Sequence, residues 1–169
     1  KQDGVFIGTL GHQSSEPPKL LLSIDRLIQI KPLPSMVNAS HTINHLMISP
    51  DGKSFLLTHR WFMNGERFDR LLHISCNGCE VKILADQSMV SHVSWIDSKT
   101  VAGYFRGTDG NDGYYKINVV DGQEEPLTTK FSYEMGDGHP SFRENLFLTD
   151  SYPDRSRMKT LSLYDFREE

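Results

Sequence analysis

The chain has 169 residues, carries a net charge of −4 and is 37% hydrophobic, which suits one ordinary globular domain. No basic run or stripe offers a nucleic-acid surface, and no stretch approaches the roughly 18 consecutive apolar residues of a membrane span. The chain opens on Lys1-Gln2-Asp3 with no signal-peptide pattern, so it reads as a processed or excised piece whose compartment is not legible.

Along the chain, apolar residues come in short runs of strand length split by turn signals, and helical periodicity is scarce. Residues 5–10, 19–24 and 27–31 read as strands of a partial sheet, with Ser14-Ser15-Glu16-Pro17-Pro18 as an exposed loop and 32–42 as a connector. A first full set of four strands follows: 46–48, the Ser49-Pro50-Asp51-Gly52 turn, 54–60, 69–75, and 80–84 after an Asn77-Gly78 turn. A second set runs 93–96, 101–106, 114–119 and a short 125–128, with a Gly/Asp-rich loop at 108–113. A third runs 140–142, 146–150 and 159–165 and lacks a fourth strand.

His45, His92 and His139 are spaced by 47 residues at each step, and each opens one of these sets. A period of this length marks a repeat fold with roughly one four-stranded propeller blade per 40–50 residues. The expected fold is therefore an all-β β-propeller of four-stranded antiparallel blades, with about three to four blades present in a partial or open ring. The boundaries are 1–35 for a partial blade and connector, 36–88 and 89–135 for two blades, and 136–169 for an incomplete one. Propellers close with four to eight blades, so the chain is expected to be part of a longer propeller or to self-associate through its open blade edges.

The two cysteines stand as Cys76-Asn77-Gly78-Cys79. No second half of a zinc site follows at finger or ribbon spacing, so the segment reads as a hairpin turn, with a disulfide or metal clip as the alternative.

If the blades superpose, the three histidines sit at the mouth of the central channel. The antiparallel second strands return towards the same face and bring His59 and Arg60, then Tyr104 and Arg106, then Asp150 and Tyr152. His41 adjoins this set; His12 and His73 are expected to lie outside it. Three neutral imidazoles that converge, with a carboxylate or amide near, suit a transition metal. A histidine before the first strand also braces blades in WD-repeat propellers, the structural alternative, although the Trp-Asp ending of those blades is missing.

Asn44-His45-Leu46-Met47-Ile48-Ser49-Pro50-Asp51-Gly52 with His59-Arg60 resembles a blade of the TolB-like and oligogalacturonate lyase-like propellers. So does Gly136-Asp137-Gly138-His139-Pro140-Ser141 with Thr149-Asp150-Ser151-Tyr152-Pro153-Asp154. The resemblance covers about residues 40–165. It implies a propeller that binds or cleaves an anionic, uronate-type polysaccharide at the channel mouth, with a histidine-bound divalent metal as in oligogalacturonate lyases, or with histidine, tyrosine and arginine as in ulvan lyases. Carried over by position, His92 and His139 resemble the ligands of that metal (Mn, Ca or Zn) or substrate-contacting histidines, and His45 and His59 resemble the histidine pair of the first blade; the lyases' His-x-His phrase is absent.

β-Elimination on a uronate needs a cation, a base and an acid. Arg60 or Arg106 (or a metal) would supply the first, His45 or His59 the second, and Tyr152 or Tyr104 the third. Asp150 joins Tyr104 and Arg106 as a substrate contact. The alternative class is a non-catalytic scaffold that binds ligand or protein, of the kind linked to polysaccharide biosynthesis and described in some cases as transferases. Arg60, Arg106, Arg155 and Arg157 would then hold an anionic saccharide, with Trp61, Phe62 and Phe105 as stacking surfaces.

Overall fold

The computed structural model describes residues 3–9, 16–127, 136–153 and 155–165. Strands β1 (Gly4–Ile7) and β2 (Lys19–Ser23) form a two-stranded sheet. β3 (Ser40–Ile48), β4 (Ser54–Met63), β5 (Glu66–Ser75) and β6 (Val81–Ser88) form the second sheet in chain order. β7 (Val90–Trp95), β8 (Thr100–Arg106), β9 (Asp112–Asn118) and β10 (Glu124–Pro126) form the third. β11 (Ser141–Arg143), β12 (Leu146–Asp150) and β13 (Leu161–Asp165) form the last. Every pairing is antiparallel. The result is an all-β, partial propeller-like fold.

The sheets pack face to face, because strands alternate their side chains between two faces. Phe55, Leu57, Leu72 and Ile74 pack on Val5, Leu22 and Leu27. Leu56 and Leu71, pointing the other way, pack on Val93, Trp95, Val101 and Phe105 of the next sheet. Tyr114 and Leu127 meet Phe147, with Phe142 and Tyr164 alongside. β4 is therefore buried on both faces, which explains the unbroken run Phe55-Leu56-Leu57. The last sheet shows Leu146, Leu148, Leu161 and Leu163 to solvent, with Leu148 and Leu163 paired across the strands.

Three expectations need correction. Residues 27–31 are not a strand: Ile24–Gln29 is a helix, α1, whose N-cap Ser23 accepts a hydrogen bond from the Arg26 backbone at 3.1 Å. The connector is shorter than expected, since a 3-10 turn at Pro34–Met36 leads into a strand that already starts at Ser40. The third sheet likewise starts at Val90 rather than at residue 93. In both sheets the first strand extends to the N-terminal side of its histidine, because pairing resumes beyond a bulge. Residues 10–15, 128 and 154, with His12 among them, lie outside the described residues.

The Asn77-Gly78 segment is a turn: Asn77 Oδ1 accepts from the Ser75 hydroxyl at 2.6 Å and from the Cys79 backbone at 3.0 Å. Both cysteines are free thiols. No helix among the described residues is long and apolar enough to cross a membrane.

A buried cation ties α1 to the second sheet. Arg70 is fully buried and donates to the carbonyls of Leu27 and Ile30, each at 2.7 Å, at the C-terminal end of the helix. That end carries the negative pole of the helix. The Nε–H of Arg70 donates to His59 Nδ1 at 3.1 Å. Because Arg70 can only donate, His59 Nδ1 must be bare, so its proton sits on Nε2 and points to His41 Nδ1 at 2.9 Å. His41 then carries its own proton on Nε2, 3.2 Å from the Met36 carbonyl. Burial, then Arg70 and His41, push the His59 pKa down to about 3.

Arg70→Ala would leave these carbonyls and His59 without their donor, and urea unfolding should show a loss of roughly 1–3 kcal/mol. His59 has a folded pKa below its unfolded value, so its contribution to stability is complete above about pH 6.5. It is lost as pH falls from there towards about 3. Unfolding free energy measured against pH should decline across that window, and His59→Gln should flatten the decline.

Candidate functional site

His45 and His92 are placed by backbone irregularities in their first strands. In the second sheet, pairing passes from Asn44↔Thr58 to Met47↔Leu56, so His45 and Leu46 stand opposite Leu57 alone. In the third, it passes from Val90↔Phe105 to Val93↔Gly103, so Ser91 and His92 stand opposite Tyr104 alone. Each is a one-residue bulge, a device that re-aims a side chain. His45 adopts φ +51° there, a left-handed conformation that histidine tolerates better than most residues.

Two glycines allow the close approach. A Cβ on Gly103 would stand 2.5 Å from the His92 carbonyl oxygen, and one on Gly138 would stand 1.7 Å from that of Asp150. Gly138 lets His139 settle on β12, where Asp150 Oδ1 accepts from the His139 backbone N–H at 2.7 Å and faces its Nδ1 at 2.9 Å. These hydrogen bonds, the backbone one first, hold the Asp150 carboxyl below the ordinary carboxylate range. An ionised carboxylate only accepts, so Nδ1 of His139 carries a proton, and in the neutral imidazole Nε2 is the bare nitrogen.

The rings converge. His45 and His92 have centroids 5.2 Å apart, and His92 and His139 are 3.9 Å apart. Tyr152 joins them, its ring 6.1 Å from His92 and 6.5 Å from His139. Partial burial, then His92, the Arg60 guanidinium and His139, hold the His45 pKa below the usual imidazole value, with Asp69 pulling the other way. Arg60 is itself fixed by buried Asp69, Nε to Oδ1 at 2.5 Å.

Other expected members stand elsewhere. His59 does not reach the channel mouth; it lies in the interior of its sheet with His41, spent in the Arg70 chain. Arg106 is held by Asp112 at 2.7 and 3.1 Å and lines a shallow cleft with Glu66, Arg67 and Phe68. Tyr104 packs edge-on to Tyr114 and lines a cleft of about 370 Å³ with Asp109, Asn111 and Asp112. Burial, then Asp112 and Asp137, raise its pKa. Trp61 and Phe105 are buried in the core, whereas Phe62 is exposed. His73 sits in β5 against Trp95, away from the rim. Arg155 and Arg157 are exposed.

Two residues escaped the sequence reading. Ser91 Oγ donates to Asp137 Oδ2 at 2.5 Å and lies 3.1 Å from His92 Nδ1. The other carboxylate oxygen of Asp137 is 3.6 Å from that Nδ1 and is buried without a hydrogen-bond partner. On the 47-residue spacing, Asp137 falls where Ile43 and Val90 stand, both apolar. A carboxylate at a core position of the repeat was the signal available.

By sequence, the chain matches no protein family and no curated protein. By structure it is similar to a putative conserved lipoprotein from Clostridium novyi NT, at 14% identity and a TM-score of 0.52, over 76% of this chain and 90% of that one. It is also similar to an oligogalacturonate lyase in complex with manganese, at 17% identity and a TM-score of 0.51, over 74% of this chain. The match spans 35% of that lyase's length. These likenesses bear on the fold alone.

Gly138→Ala should break the seat of His139, because the new methyl meets backbone rather than a flexible side chain. We expect a loss of about 1–3 kcal/mol in chemical unfolding and a displaced His139 ring resonance.

Proposed function

We propose that the rim of His45, His92, His139, Arg60 and Tyr152 binds an anionic, uronate-type polysaccharide and cleaves it by β-elimination. The carrying observation is the convergence of three imidazoles, with a tyrosine and a fixed arginine, from three successive sheets. The structural likeness to an oligogalacturonate lyase supports a carbohydrate-related propeller.

Arg60 neutralises the uronate carboxylate and the charge that builds on it as the adjacent C–H bond breaks. His45, kept neutral at neutral pH by its surroundings, takes that proton as general base. The C–H electron pair becomes the new carbon–carbon double bond, and the glycosidic carbon–oxygen bond breaks. Tyr152, exposed beside His92 and His139, gives its phenolic proton to the leaving oxygen. The bare Nε2 of His139 accepts from a sugar hydroxyl.

The solved lyase holds manganese. Among the described residues here, no three His, Cys, Asp or Glu side chains are arranged to hold a metal ion. His92 and His139 alone do not complete a coordination shell, so the steps above run through side chains only.

The test is incubation with oligouronates while following the near-ultraviolet absorbance of the unsaturated product, with and without a chelator. Turnover should appear, and His45→Ala should lower kcat/KM by roughly 10²–10⁴-fold. Because the His45 pKa is depressed, the acidic limb of the pH–rate profile should have its midpoint below about 6.5. Saturable oligouronate binding without product would leave a binding module and refute the lyase. Loss of turnover on chelation would show that a metal supplies what is here assigned to Arg60.

A further inference from the structure

We infer that Asp137, with Ser91, is a positioning residue that holds His92 as the Nδ1–H tautomer, so that its bare Nε2 faces the rim. The inference rests on the reading above for its functional meaning, but its geometry stands alone.

Ser91 has one proton and gives it to Asp137 Oδ2 at 2.5 Å. Its oxygen can then only accept from His92 Nδ1, 3.1 Å away. The remaining carboxylate oxygen, buried and without a hydrogen-bond partner, lies 3.6 Å from the same nitrogen. Both neighbours of Nδ1 are thus acceptors, and the ring proton belongs there. Ser91 meets the far edge of the imidazole and has no proton left to give it, so the trio is a bracket and not a nucleophile with its base. The bracket spans two sheets: Ser91 comes from β7, and Asp137 precedes β11. It repeats what Asp150 does for His139, so two imidazoles 3.9 Å apart both offer bare Nε2 atoms. Carboxylate-oriented imidazoles of this kind serve as ligands and bases elsewhere, and loss of the orienting group costs about 10–100-fold in function.

The experiment is long-range proton–nitrogen NMR of the ¹⁵N-labelled chain at neutral pH, with His92→Gln to assign the signal. The wild type should show His92 protonated on Nδ1. Ser91→Ala should keep that tautomer, because Asp137 remains to accept. Asp137→Asn places an amide donor beside Nδ1 and should switch the proton to Nε2. A wild-type His92 protonated on Nε2, or an unchanged tautomer in a folded Asp137→Asn protein, overturns the inference. If Asp137→Asn does not fold, the wild-type and Ser91→Ala spectra still decide. Turnover is a separate arm: Asp137→Asn should lower kcat at least tenfold with KM little changed. A correct tautomer in a protein without turnover would sink the lyase reading and leave the bracket standing.

Discussion

The site depends on one constraint: the backbone at the histidines of the last two sheets must lie against the second strand at very short range. At His92 that range admits no side chain on Gly103, and at His139 none on Gly138. The bulge turns a residue out of the pleat, and the narrow gap keeps it from relaxing back. The same irregularity recurs in the second and third sheets, and the sheets stack face to face through shared cores, so strands bring His45 and His92 together, while His139 comes from the segment that precedes β11. Sites built on the ends of rigid strands hold their geometry better than sites built on loops.

Repetition supplies the symmetric part of the rim, and its exceptions supply the chemistry. Opposite the bulge, Tyr104 stands in the third sheet, and in the last the β12 strand brings Asp150 against His139. Further along the second strands, Arg60 pairs with Asp69 and Arg106 with Asp112. Of these two arginines, only Arg60 acts on His45. The buried pair at Asp69 aims its guanidinium; the half-exposed pair at Asp112 is a surface bridge of little energetic weight.

Much of this was legible in the sequence. The 47-residue spacing of three histidines and the Ser-Pro-Asp-Gly and Asn-Gly turns place the sheets, and alternation with turn chemistry is a local signal. What local patterns cannot carry is the partner of a buried charge. His59-Arg60 reads as one polar pair at a strand end, but neighbouring strand residues face opposite sides. Arg60 therefore turns to Asp69, while His59 turns inward to Arg70. Arg70 in turn is satisfied by carbonyls of α1, 40 and 43 residues away. Helix α1 was missed for a related reason: its six residues are held by Ser23 and Arg70 rather than by periodicity, which six residues are too few to display.

Asp137 shows how a repeat is read for function. A strict repeat would place an apolar residue there, and Val90 at the matching position is fully buried. Asp137 stands there with its side chain a quarter exposed, so the carboxylate gives up packing while keeping part of its hydration. Here one oxygen is served by Ser91, and the other is left buried beside an imidazole. A repeat position that takes a carboxylate in place of an apolar side chain has given up packing for orientation. The same logic separates the two histidine systems. In the Arg70 chain every ring nitrogen of His59 and His41 already has a partner, so that chain can only hold the fold together. At the rim the orienting bonds reach Nδ1 of His92 and His139, and it is the opposite edge of each ring that is available for chemistry.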